Sequence, residues 1–469
     1  MMKLIAIISP VVIGSALTAV LIPRSSLRRV SWLLTLCLGT GIGFGLTSAA
    51  TFIWLDLWGR PANAYASAEI CTAALLGLIA FYRLRFSRPD SSETTDLNAE
   101  SCIGTIRWLQ ATFVILITIS MVSFLLKVLL QDPNGIWDAW TVWNYRARWL
   151  FRGGESWAQA FSYQMAADAP DYPLLISGSI FRMWQMLGND NTAIPCLLAF
   201  FFTYGSIFVI FAAIAMLRGK NQGYLAAIFM LISTQFFNVG TYQYSDVPLA
   251  FFILCTIVLY CLKDRFPQKN IQLAALGGLT ASCAAWTKNE GLLFFVFVLL
   301  THHLWPLRKK DRSVPLKELL GFGMGLLFIF GSLIFFKLEF GTTNELINSA
   351  NLSKAGAYFL DKDRLLAVST EIISRIFIFN NSVILLLAAY LALSGFDQSD
   401  GAKKRFFSHS ILLLLMLGGY FLSFMISPYN LRWHMGSSLR RLIVQLWPAF
   451  VFLVFNYAGG PEKNPVPHA

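Results

Sequence analysis

The chain has 469 residues, 56% of them apolar and only 13% charged, with a mean hydropathy of +0.59. Soluble domains run nearer 45–50% apolar and about 25% charged, so an ordinary soluble protein and a disordered one are both excluded. The net charge of +12 would suit nucleic acid, but no basic cluster sits in polar sequence long enough for a nucleic-acid domain; in a membrane protein such an excess marks the cytoplasmic loops.

About 20 apolar residues cross the hydrocarbon core of a bilayer. Runs of that kind predict thirteen membrane helices: 4–22, 30–55, 66–82, 108–130, 192–217, 223–241, 246–263, 271–287, 290–306, 318–337, 376–395, 408–427 and 442–457. Helices satisfy their own backbone groups in lipid, and no period-two pattern suggests a barrel. The expected fold class is an all-α polytopic membrane protein. The first run lacks a small-residue cleavage site and is read as a retained helix.

Orientation follows from the short loops. Arg24, Arg28 and Arg29 follow the first run, Arg83, Arg85 and Arg88 the third, and Arg218 and Lys220 the fifth. Lys263, Arg265 and Lys269 follow the seventh, Arg308, Lys309, Lys310 and Arg312 the ninth, and Lys403, Lys404 and Arg405 the eleventh. Every odd run exits into a basic loop, which the positive-inside rule places in the cytoplasm. The N-terminus is then outside and the tail 458–469 inside. Segment 86–105, rich in Ser, Thr, Asp, Glu and Asn, reads as a flexible cytoplasmic linker. The expected organisation is three N-terminal helices and this linker over 1–107, a core over 108–457, and the tail.

The outer face carries the candidate chemistry. Segment 136–157 reads IWDAWTVWNYRARWLFRGGESW and holds five of the fourteen tryptophans. Trp137, Trp140, Asn144, Ala147 and Phe151 recur at helical spacing, which predicts an amphipathic helix in the interface. Asp138 lies between Trp137 and Trp140, so an acid stands inside an aromatic belt. It reads either as a solvated anchor or as a carboxylate held out of water, a candidate base. In ADAPDYPLL, Asp168 and Asp171 flank Pro170 ahead of an apolar segment. Either acid could line the same cavity, and Asp171 could instead cap the following helix.

Three more polar points share that face: Asp246 in TYQYSDVP, Lys288 and Glu290 in WTKNEG, and Arg432, His434, Arg440 and Arg441 in YNLRWHMGSSLRR. Charges at membrane depth are functional candidates by default. Acids can take a proton from an acceptor, and cations can hold a phosphate leaving group. Asp138 and Asp171 are oxygen ligands that could share a divalent metal, although oxygen ligands alone do not decide it. The seven cysteines form no CxxC pair, so neither a disulfide framework nor a thiolate metal site is indicated. The adjacent His302 and His303 border a basic run, where an interfacial role is expected. No Walker loop is present, which argues against a nucleotide-driven pump. A secondary transporter would be expected to carry inverted repeats, broken helices and ionisable residues near the midplane. It and a surface-polysaccharide ligase or polymerase are the competing classes.

WDAWTVWN, PDYPLL, YSDVPLAF, TKNEGLLF and RWHMGSSLRRLIVQLWP occur in that order. The set resembles the membrane glycosyltransferases of the GT-C fold, in the bacterial branch related to protein mannosyltransferases and aminoarabinose transferases. The likeness covers roughly 108–457. It implies transfer of a sugar from a polyprenyl-phosphate donor to a glycan, lipid or protein acceptor outside the cytoplasm, in a bacterial inner membrane and without nucleic acid. It implies Asp138 as general base and Asp171, with Asp168 as alternate, lining the cavity. Lys288 and Arg441 match the cations that approach the lipid phosphate, with Arg432 and His434 beside them; Trp140, Asn144, Asp246 and Glu290 fall in the same matching segments. The chain departs from the pattern at Ala169 and Pro170, where relatives have His, and at Arg440, where they have an acid.

Overall fold

A computed structural model describes residues 2–23, 27–60, 63–86, 106–162, 170–308, 312–341, 344, 348–378 and 381–459. Among them the backbone is almost wholly helical, with one isolated antiparallel bridge between Phe396 and Ala458. The helices are α1 (Met2–Leu21), α2 (Arg28–Trp58), α3 (Asn63–Phe86), α4 (Arg107–Leu126), α5 (Asn144–Arg152), α6 (Leu175–Leu187), α7 (Ala193–Arg218), α8 (Lys220–Leu231), α9 (Thr234–Thr241) and α10 (Asp246–Arg265). They continue with α11 (Asn270–Thr287), α12 (Asn289–Val298), α13 (Ser313–Glu339), α14 (Ser349–Leu360), α15 (Lys362–Ile378), α16 (Asn381–Ser394), α17 (Asp400–Met425) and α18 (Leu431–Tyr457).

Nine of the described helices are long and apolar enough to cross a bilayer, or up to eleven if each of two bent pairs is one span. The expected thirteen is not confirmed among the described residues, although a helix stands at each expected position. The first expected run lies in α1 (Met2–Leu21), 20 residues long and strongly apolar. The eighth, α11, carries Asn, Gln, Gly, Ser and Thr, which dilute its apolarity, and its second half is buried against protein. The sixth expected span is broken: α8 and α9 meet at 63°. Ser233 leaves the helical region there, at φ −78° and ψ 85°, and its hydroxyl accepts a 2.9 Å hydrogen bond from the Trp447 indole. The eleventh is likewise bent, by 72°, between α15 and α16. At the C-terminal end, α18 begins at Leu431, so the polar stretch expected as an outer loop is the first part of one long helix.

The core runs through α2, α7, α10, α11 and α18, and α10 is buried over nearly its whole length. The N-terminal helices are packed into that core. A Cβ built on Gly43 would lie 1.8 Å from the Pro10 carbonyl oxygen, and one on Gly39 2.5 Å from the Ser15 Cα. Only glycine lets α1 and α2 approach so closely, in the small-xxx-small manner of membrane helices. Buried Arg182 of α6 pairs with Glu69 of α3, its Nε donating at 2.9 Å to Oε2, and its Nη2 donates at 2.7 Å to the Ser9 hydroxyl of α1. Ser48 of α2 donates at 3.0 Å to the Leu174 carbonyl, just ahead of α6, and accepts from the Trp286 indole at 3.2 Å. This clamp holds the Asp171 turn against α11, the helix that leads into Lys288.

Candidate functional site

The sequence around Asp138 is built on irregular backbone. Gly135 has φ 72°, which glycine takes without strain. The turn it makes opens a π-helical stretch, Ala139–Trp143, ahead of α5. The wider π turn breaks the register expected for the aromatic stripe. Trp137 and Trp140 are exposed, whereas Asn144 and Ala147, predicted on the same face, are buried with Trp143. The amphipathic helix is thus anchored by packing as well as by exposed indoles.

Asp138 forms an ion pair with Arg441 of α18, at side-chain exposures of 26% and 21%. The guanidinium stands 5.0 Å from the Tyr244 ring centroid, and its Nε is buried with no hydrogen-bond partner among the described residues. Burial, then the Asp138 carboxylate, push the Tyr244 hydroxyl up to about 12.

Four residues further along α18, Gln445 donates at 2.6 Å to Asp246 and accepts at 2.6 Å from the Tyr420 hydroxyl. Asp246 also takes a 3.0 Å bond from Lys288, whose ammonium lies 3.0 Å from Glu290. Burial works against the Lys288 charge, but Asp246 and Glu290 outweigh it and hold the ammonium well above the ordinary lysine range. Lys288 also stands 5.6 Å from the ring centroid of Tyr172. Tyr172 stacks on Trp143 at 5.4 Å, and burial raises its hydroxyl far above normal.

Asp171 closes the layer. Its carboxylate accepts from Asn289 at 2.8 Å and from Asn344 at 2.9 Å, and Lys337 Nζ lies 3.6 Å away. Lys337 also donates to the Asp171 carbonyl at 2.5 Å and to Asn289 at 2.9 Å. The helix that follows has no side-chain cap, so the alternative role of Asp171 as a cap is not realised. Buried Arg146 donates at 2.8 Å to the Tyr172 carbonyl. Burial lowers its pKa to about 10 against the pull of Asp171.

Asp138, Asp171, Asp246, Glu290, Lys288 and Arg441, expected from sequence, thus gather into one polar layer, joined by Arg146 and Lys337. Four carboxylates face four cations, so its formal charges cancel. Asn144 lies on its rim, donating at 3.1 Å to the Asn134 carbonyl and at 3.3 Å to Gln243. Trp140 stands outside it, packed edge-on against Trp137. His434 is engaged by the Ser427 hydroxyl at 2.8 Å, and Arg432 is exposed. Asp168 lies outside the described residues. Asp138 and Asp171 each meet a cation and not each other, and no three His, Cys, Asp or Glu side chains among the described residues could hold a metal. The residues present do not fit a divalent ion shared by those two acids.

At the far end of α10, about 30 Å away at 1.5 Å per residue, Lys263 pairs with Glu318 at 2.6 Å and Asp264 with His409 at 3.1 Å. His302 and His303 are buried there, with the Tyr260 hydroxyl 2.7 Å from His303. They are interior residues and not the interfacial pair expected, because the π-helical turn over Leu299–Leu304 swings both rings inward.

Lys337, Asn344, Gln445 and Tyr420 were missed by sequence reasoning. A signal existed for two of them: Lys337 is a lone cation in IFFKLEF, and Gln445 stands four residues after Arg441 on the same face.

Residues 180–342, about a third of the chain, match the family model of dolichyl-phosphate-mannose-protein mannosyltransferases. The segment is of that family. The match supports a membrane glycosyltransferase of the GT-C, protein-mannosyltransferase type, a family whose members use polyprenyl-phosphate-linked sugar donors. The matched segment of this glycosyltransferase carries Asp246, Lys288, Glu290 and Lys337; Asp138, Asp171 and Arg441 lie on either side of it. No curated protein and no solved structure matches the chain.

Proposed function

We propose that this glycosyltransferase moves a sugar from a polyprenyl-phosphate donor to an acceptor hydroxyl on the extracytoplasmic face of a bacterial inner membrane, with Asp138 as general base. The observation that carries the reading is the Asp138–Arg441 pair, the most exposed of the acid–cation contacts in the polar layer. In the reaction the acceptor oxygen forms a bond to the anomeric carbon and gives its proton to Asp138. The bond from that carbon to the phosphate oxygen breaks, and its electron pair leaves with the polyprenyl phosphate. A phosphate leaving group needs positive charge more than a proton, so one base suffices. A single displacement implies inversion at the anomeric carbon, by analogy with inverting glycosidases.

The two partners of the pair can exchange roles on donor binding. The donor phosphate takes the guanidinium of Arg441, including its unpartnered Nε, and releases the carboxylate to act as base. Lys288 is held by Asp246 and Glu290 and contributes field, while Lys337 and Arg146 hold the Asp171 side in place. The test is transfer by membranes supplied with labelled polyprenyl-phosphate sugars, with the product identified. Label that stays in the donor for every sugar offered, with well-expressed protein, would overturn the reading.

A further inference from the structure

An open cleft of about 570 Å³ lies beside the Asp138 turn, outside the polar layer. It is lined by the loop residues 131–135 and by Arg148. Trp140, 44% exposed, forms one side, its ring fixed at 4.9 Å from Trp137 in an edge-on contact. Arg148 is oriented by a 2.8 Å bond to the Asn134 side chain and by Asp190 at 3.5 Å.

The loop is built from beneath. Gln243 holds the left-handed conformation at φ 60°, uncommon for a residue with a side chain. Its Nε2 donates to the carbonyl of Asp132 at 3.1 Å, and Asn144 donates to that of Asn134. The Ile136 amide is taken by the Tyr242 carbonyl at 3.2 Å. These contacts engage the Asp132 and Asn134 carbonyls and the Ile136 amide, so side chains carry most of what the loop offers a ligand.

We infer that this cleft is the acceptor subsite and that it receives a sugar ring. The inference rests on the transferase reading above and names its acceptor as a glycan. A sugar presents hydroxyls that donate and accept, and two amides, a carboxylate and a guanidinium answer both needs. Its C–H face needs an exposed aromatic plane, which Trp140 supplies. A lipid chain would need apolar walls, which this cleft lacks. An extended peptide commonly docks by a run of main-chain pairing, and here the Asp132 and Asn134 carbonyls and the Ile136 amide are already engaged. Trp140 follows Asp138 by two residues, so the cleft adjoins the segment that carries the base.

The test is saturation-transfer NMR on the full chain in detergent, without donor. The probes are the methyl glycosides of glucose, galactose, mannose and N-acetylglucosamine, and a Ser/Thr-rich hexapeptide. At least one glycoside should receive saturation at its C–H protons. Trp140→Ala should weaken that binding about tenfold, the loss typical of a truncated aromatic anchor, and Asp132→Asn should weaken it as well. Lys403→Gln, at the other end of the helices, should bind the glycoside as the unaltered protein does. Glycoside signals that neither Trp140→Ala nor Asp132→Asn reduces, no glycoside signal at all, or a peptide signal lost with Trp140 would each overturn the inference. Because the donor is absent, failure of Asp138 as base would leave these signals in place.

Discussion

Asp138→Asn keeps the volume of the side chain and removes its basicity. The pair with Arg441 is about three-quarters buried, so losing the Asp138 charge should cost about 1–3 kcal/mol, between the exposed-pair and buried-pair ranges, and thermal unfolding in detergent checks that the variant folds. A positioned general base contributes about 10²–10⁴ in rate, which is about 3–5 kcal/mol of barrier. The donor KM should move the other way. On the proposed exchange of partners, the carboxylate and the donor phosphate compete for one guanidinium; the Asp138→Asn substitution removes that competition, so the donor KM should fall or hold. The assay is steady-state transfer by protein in proteoliposomes, with labelled donor varied at fixed acceptor. Near-normal kcat would remove the base. A loss confined to a raised donor KM would make Asp138 a binding group and refute the exchange of partners.

Arg441→Gln should raise the donor KM about 10–100-fold, the range of a lost hydrogen bond to a charged group, while Lys403→Gln at the other end of the helices should leave it unchanged; equal effects would point to folding. Glu69→Gln should leave the buried Arg182 guanidinium without its counter-charge and lower stability by about 3–5 kcal/mol, with the Glu69→Leu, Arg182→Met double variant recovering most of it in thermal unfolding in detergent. Gly39→Ala drives a Cβ into the α1 backbone and should lower stability by about 1–3 kcal/mol, whereas Gly331→Ala, with open space around its Cβ, should not. Cysteines placed at Ser156 and Lys404 should react with an impermeant maleimide from opposite sides of the membrane, Ser156 from outside; labelling of both from one side would sink the topology.

The helical, membrane-embedded fold was legible because apolar runs and charge report directly on lipid. The count was not, since α11 needs little apolarity where protein and not lipid surrounds it. The acids and cations of the polar layer were legible as charges at helix ends, and the structure brings six of them together. What no linear pattern carried was their pairing. Asp138 and Arg441 are 303 residues apart, and whether Asp171 caps a helix or meets Asn289 depends on how α6 packs. The π turn at Ala139–Trp143 was equally hidden, because one added residue per turn leaves the composition unchanged while turning Asn144 inward.

The balance of four carboxylates against four cations bears on what happens after transfer. A donor phosphodiester carries one negative charge, and the polyprenyl phosphate left behind is a monoester with a second ionisation near pH 6. Each turnover therefore leaves in place a more highly charged species than the one that entered, facing the same guanidinium. The departing lipid should be held harder than the arriving one. The time course expected is a rapid first transfer followed by slower cycles set by product release, and added polyprenyl phosphate should compete with the donor at low concentration.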